Sequence, residues 1–121
     1  MVSVHPDASP VPLESQADLD AARVMARELC GLVGVRNYHA QTVVTTVGAL
    51  GSKILAQAQG QLTLRIDPEA ARLFVSATLP VGTCTEDELR ELAKTAHHIE
   101  CGSDDSVRRI VASFDYELLR Q

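Results

Sequence analysis

The sequence predicts a small α+β domain, a two-layer sandwich in which helices cover one face of a mixed or antiparallel sheet. Three observations predict it. Two long apolar stripes at helical spacing fill the first half of the chain. Short alternating segments joined by turns fill most of the second half. Helices and strands fall in separate blocks instead of alternating one by one, which points away from an all-parallel sheet. The length, 121 residues, suits one domain with one core, and 45% hydrophobic against 22% charged residues places the chain among globular rather than disordered sequences.

Taken in order, Met1–Pro12 carries Pro6, Pro10 and Pro12 and reads as a flexible arm (1–12), with Val11–Leu13 a short edge-strand candidate; the domain proper is expected over 13–121. Ser15 is a helix N-cap, and Asp18 sits in the first turn where a negative charge favours the helix dipole. Ala22, Met25, Ala26, Leu29, Leu32 and Val33 then recur at helical spacing, predicting a helix over 16–33 that Gly34 ends in a left-handed conformation. Val43, Val47, Leu50, Ile54 and Ala58 form a second stripe, predicting a helix over about 39–58 despite the internal Gly48 and Gly51. Those two glycines permit a close helix–sheet or helix–partner approach, with packing inside the fold the plainer cause.

Leu62, Leu64 and Ile66 alternate, Asp67-Pro68-Glu69-Ala70 turns, and Leu73, Val75 and Ala77 alternate again: a β-hairpin. Thr85-Glu86-Asp87-Glu88 is a capping box for a third helix whose inner face holds Leu89, Leu92, Ala93 and Ala96. His98–Cys101 is a strand candidate, Gly102–Ser106 a turn, and Ile110, Ala112, Phe114 and Tyr116 alternate in a final strand. The order is therefore (β)ααββαββ.

Composition excludes several functions. The formal charge is −5, no basic cluster exceeds Arg108–Arg109, and there are two Tyr, two Phe and no Trp, so both phosphate neutralisation and base stacking are poorly provided for. No nucleic-acid partner is expected. No apolar run reaches membrane-spanning length and no signal-peptide pattern opens the chain, so a cytoplasmic protein without a membrane partner is the expectation. Cys30, Cys84 and Cys101 are unevenly spaced and read as free thiols in a reducing compartment.

The element order and some of its wording resemble the GHKL (Bergerat-type) ATPases, in particular the anti-sigma-factor and switch serine-kinase branch. The likeness rests on Ser15-Gln16-Ala17-Asp18-Leu19-Asp20-Ala21-Ala22-Arg23 opening helix one, on Leu32-Val33-Gly34-Val35 closing it, on Gln41 to Leu64 as the N-box helix with its strand, and on Leu92 to Tyr116 as the closing segment. It spans roughly residues 11–118. In that family the N-box helix offers a Glu that activates water or substrate and, four residues later, an Asn that holds Mg²⁺ on the nucleotide. Here those positions fall on Ala49 and Lys53, or one residue on, on Leu50 and Ile54. Neither register restores the pair, because Asn37 is the only Asn and no Glu lies between Glu28 and Glu69. The family's D-x-G-x-G element is replaced by Leu79-Pro80-Val81-Gly82-Thr83-Cys84, and the glycine-rich lid is missing. Phosphoryl transfer would then lack its metal, cradle and base.

The resemblance thus implies a non-catalytic regulatory module, with no cofactor, that binds a sigma factor or an antagonist-like protein by partner switching, with a homodimer as a further possibility. The partner-facing portion is expected on helix one, with Asp20, Arg23, Arg27 and Glu28 outward and Ala22, Met25, Ala26 and Leu29 inward; the plainer reading makes those charges merely solvated. Lys53 is either an anion ligand in the emptied pocket or a solvated lysine. The alternative is a divergent anti-sigma-type serine/threonine kinase drawing on Asp67, Glu69 or Glu86, and a third reading is a subunit completing a complex with an active paralogue. Cys84, His97, His98 and Cys101 offer zinc-type ligands without a C-x-x-C knuckle, so no metal is expected. His97 and His98 are expected to divide between packing and surface, and Ser15, Ser103 and Ser106 are phosphorylation candidates by exposure alone.

Overall fold

The computed structural model describes Val11 and residues 13–57, 59–82 and 84–121. Most of the predicted arm, and the end of helix two at Ala58, lie outside the described residues. Helix α1 spans Gln16–Leu32 and α2 spans Asn37–Gln57. Strands β1 (Gln61–Asp67) and β2 (Arg72–Pro80) form the hairpin, α3 covers Glu86–Leu92, β3 and β4 cover His98–Ser103 and Val107–Asp115, and α4 covers Tyr116–Leu119.

Local chemistry sets most boundaries. The Ser15 hydroxyl accepts from the Asp18 N–H at 3.3 Å at the start of α1, and Gly34 follows its end at φ +80°. At α3 the box closes both ways: Thr85 Oγ1 accepts from the Glu88 N–H at 3.1 Å, and Glu88 Oε1 accepts from the Thr85 N–H at 3.3 Å. In the hairpin turn Asp67 Oδ1 accepts from the amides of Glu69 and Ala70, and Ala71 completes the turn at φ +55°.

The four strands form an antiparallel sheet in the order β1-β2-β4-β3, so the last strand lies inside the sheet. Leu64 pairs with Val75, Val75 with Ala112, and Ala112 with Ile99, which places one residue of each strand in a single inward-facing row. Leu62, Leu64, Ile66, Leu73, Val75, Ala77, Leu79, Ile110, Ala112 and Phe114 are all buried on that face, under α2 and α3. The opposite face is half-buried to exposed, apart from Ser113; on it the Arg65 guanidinium lies 4.2 Å from the Phe74 ring centre. Val11 makes a single antiparallel bridge to Leu62 and is buried, where an edge strand over Val11–Leu13 was expected.

Three expectations are corrected. Met25 is 41% exposed and Leu32 52%, so neither turns inward: α1 packs chiefly on α2, and Leu19, Ala22, Ala26 and Cys30 suffice for that seam. Tyr116 is buried but opens α4 instead of ending a strand, because the Asp115 carboxylate caps a new turn by accepting from the Glu117 N–H at 3.1 Å. The third helix stops at Leu92, before Ala96.

Candidate functional site

The two glycines of α2 receive α1. A Cβ at Gly51 would overlap Cδ1 of Leu19, and a Cβ at Gly48 would lie 2.9 Å from Nε of Arg23. The close approach these glycines permit is helix to helix. Arg23 is thereby laid across the α2 backbone, and Asp20 fixes its far end by accepting from Nη1 at 3.1 Å.

Between the helices, on the side away from the sheet, runs a groove of about 460 Å³ lined by Arg23, Arg27, Gln41, Val44, Thr45, Gly48, Ala49 and Ser52. Arg27 is exposed and reaches the Gln41 side-chain oxygen only at 3.5 Å. Among the described residues it has no carboxylate partner. Of the four expected partner-facing residues, the structure brings Arg23 and Arg27 to this groove, gives Asp20 to Arg23 as its counter-ion, and leaves Glu28 exposed outside the lining. The α2 wall was missed from sequence, although Gln41, Thr45, Gly48, Ala49 and Ser52 recur at helical spacing as small or polar residues on an otherwise apolar helix.

Ala49 and Lys53 part company. Ala49 opens onto the groove shared with α1, whereas Lys53 leans toward α3 and donates to Glu88 Oε2 at 3.2 Å. Glu88 divides its two oxygens between the helix cap and the lysine. Its carboxyl is held below the usual glutamate range, first by the Thr85 amide and then by Lys53. Lys53 is neither solvated alone nor presented to an anion: its charge is matched within the fold.

A larger recess of about 600 Å³ lies where β1 and β4 begin and β2 ends, lined by Gln59, Gly60, Gln61, Thr78, Leu79, Pro80, Ser106 and Val107. It contains no charged side chain. The alternative catalytic carboxylates lie elsewhere: Asp67 caps the hairpin turn, Glu69 is exposed in that turn, and Glu86 accepts from Arg90 at 3.0 Å.

Among the described residues no group of three or more His, Cys, Asp or Glu side chains is placed to hold a metal ion. His97 accepts from the Asp115 N–H through Nδ1 at 2.8 Å and meets the Phe114 ring edge-on, yet it is exposed, as is His98 on β3, so the two do not divide between packing and surface as expected. All three cysteines are free thiols; Cys30 is fully buried and burial pushes its thiol up to about 11. Ser15, Ser103 and Ser106 are exposed, the first engaged as a helix cap.

No protein-family model matches the chain, and a search of curated proteins finds no match either. The site therefore has to be read from its own chemistry. That chemistry is a cationic, hydroxyl-lined groove on an acidic protein. No helix among the described residues is long and apolar enough to cross a membrane.

Proposed function

We propose that this chain is a non-catalytic regulatory module that binds another protein through the outer side of α1 and α2, in the manner of a GHKL-like anti-sigma factor or switch kinase whose nucleotide site has been lost. Partner switching without ATP, in the cytoplasm, is the working mode, and a sigma factor or an antagonist-like protein is the kind of partner the resemblance implies. A self-dimer is compatible with the same reading.

One observation carries it. On α2, the turn that would carry an acid and a metal-binding amide presents instead the methyl group of Ala49, in a groove with two arginines, and an ammonium at Lys53 neutralised by Glu88. A phosphoryl-transfer site needs groups that hold metal and phosphate and position a nucleophile. Arginine is instead a residue enriched where one protein receives another, and two of them edge this groove. The short connection Val81–Thr85 between β2 and α3 leaves little chain for a nucleotide lid.

Titration calorimetry with ATP-Mg tests the reading, with capture from native lysate as its second arm. The expected result is no heat of binding at millimolar nucleotide and recovery of a specific protein partner. A saturable heat at micromolar ATP would overturn it.

A further inference from the structure

We infer that the α1–α2 groove is a receptor for one acidic amphipathic helix of a partner protein, engaged by Arg27 and Arg23 through two carboxylates one helical turn apart. This rests on the protein-binding reading above and names the partner's chemistry.

The floor of the groove comes first. Thr45, Ala49 and Ser52 hold no side chain longer than threonine, so beside the strip at Gly48 that Arg23 covers, a third helix can approach α2 closely. The wall comes next. Arg23 and Arg27 stand four residues apart on α1, about 6 Å along its axis at 1.5 Å per residue, which matches acidic side chains at i and i+4 on an approaching helix. Gln41 adds an amide beside Arg27.

Charge selects the occupant. The chain carries −5 overall, yet among the described residues this groove is lined by two guanidinium groups and by no carboxylate, and the one counter-ion paired there, Asp20, already engages Arg23. Arg27 is therefore the anchor that gains most from a carboxylate, since a guanidinium pairs with a carboxylate through charge-assisted, often bidentate hydrogen bonds. Arg23 is placed in advance: Asp20 holds one end and the bare backbone at Gly48 receives the rest. Helix-in-groove docking combines these elements.

The test uses the full chain, isotope-labelled, titrated with a synthetic alanine-based helical peptide bearing Glu at i and i+4. A matched peptide with Lys at those positions, inorganic phosphate and a single-stranded oligonucleotide serve as comparison probes. The expected result is saturable shifts at the Nε–H resonances of Arg23 and Arg27 and at the Gln41 side-chain amide with the Glu peptide alone. Arg27→Gln should weaken that binding about tenfold, the loss of one charge-assisted pair. Gly48→Ala should weaken it several-fold by displacing Arg23 while keeping its charge.

Shifts scattered over the surface, undiminished affinity in Arg27→Gln, or phosphate or oligonucleotide competing as well as the Glu peptide would each overturn the inference. A captured natural partner that binds Arg27→Gln as tightly as wild type would sink the acidic-helix groove and leave the protein-binding reading standing. Micromolar ATP binding would sink the latter first.

Discussion

Two alanine substitutions three residues apart on α2 should move stability in opposite directions. Each removes an interior helical glycine, a change worth about 1 kcal/mol in favour of the helix. At Gly48 the added methyl meets only the far end of Arg23, at 2.9 to 3.4 Å, and that flexible side chain can move aside. The loss is then at most the exposed Arg23–Asp20 pair, on the order of 0–1 kcal/mol. Gly48→Ala should therefore be neutral or stabilising by up to about 1 kcal/mol. At Gly51 the methyl overlaps Leu19, a side chain only 1% exposed and held between the helices, and also lies 3.6 Å from Cδ1 of Leu13. Overpacking of this kind costs about 1–3 kcal/mol, so Gly51→Ala should be destabilising by up to about 2 kcal/mol. The two variants should differ by roughly 2 kcal/mol, or several degrees in melting temperature for a domain of this size. Urea denaturation of both variants beside the wild type measures it. If Gly51→Ala proved as stable as Gly48→Ala, the close α1–α2 contact through Leu19 would be wrong.

Three other outcomes can be checked. Ala71 holds a left-handed conformation at φ +55° that a Cβ disfavours, so Ala71→Gly should stabilise by up to about 1 kcal/mol in the same denaturation assay. Cys30, its thiol raised to about 11 by burial, should react with a thiol reagent at pH 8 no faster than the chain unfolds, whereas the half-buried Cys101 labels sooner. A raised folded-state value also means that the Cys30 contribution is intact below the unfolded thiol range and is lost as pH rises toward 11. Glu88 is shifted the other way, so its contribution is present above the ordinary glutamate range and is lost as pH falls through its lowered value; Glu88→Gln should make the acid limb of a stability–pH curve shallower while the share of Asp104, which its turn amides depress likewise, remains.

What could be read in advance was set by neighbours in sequence. Ser15, Gly34 and the Thr85–Glu88 box act within four residues of themselves, and the alternation of Leu62, Leu64 and Ile66 reports one face of one strand. What could not be read depends on distant packing. A stripe at 3.6-residue period marks the centre of a buried face but not its width, and since α1 meets mainly one other helix, its seam is too narrow to include Met25 or Leu32. Alternation through Phe114 runs on to Tyr116 in the sequence, while only the Asp115 carboxylate, a cap with a two-residue reach, decides that the strand ends there. The candidate groove was half legible: Arg23 and Arg27 belong to one visible helix face, but Gln41, Thr45 and Ser52 join them only because Gly51 and Gly48 fix how the helices cross. Lys53 was legible as a charge and not as half of an ion pair, since Glu88 lies 35 residues away.

The position of β4 governs when, during synthesis, this molecule can become itself. It is the last of the four strands to leave the ribosome, and it is the only one that bridges β2 to β3. Until it emerges, β3 has no strand to pair with in the native sheet, and β2 offers nine residues of unpaired backbone on one side. A nascent chain in that condition is an open template for strand addition by another chain. It also lacks Phe114, the largest of its fully buried side chains. The helical half can assemble early, through contacts close in sequence, but closure of the sheet waits for a late, long-range insertion, the kind of step that slows folding. The growing chain is therefore most vulnerable to misassociation between the completion of the β1–β2 hairpin and the arrival of residue 115, the interval in which a chaperone would matter most.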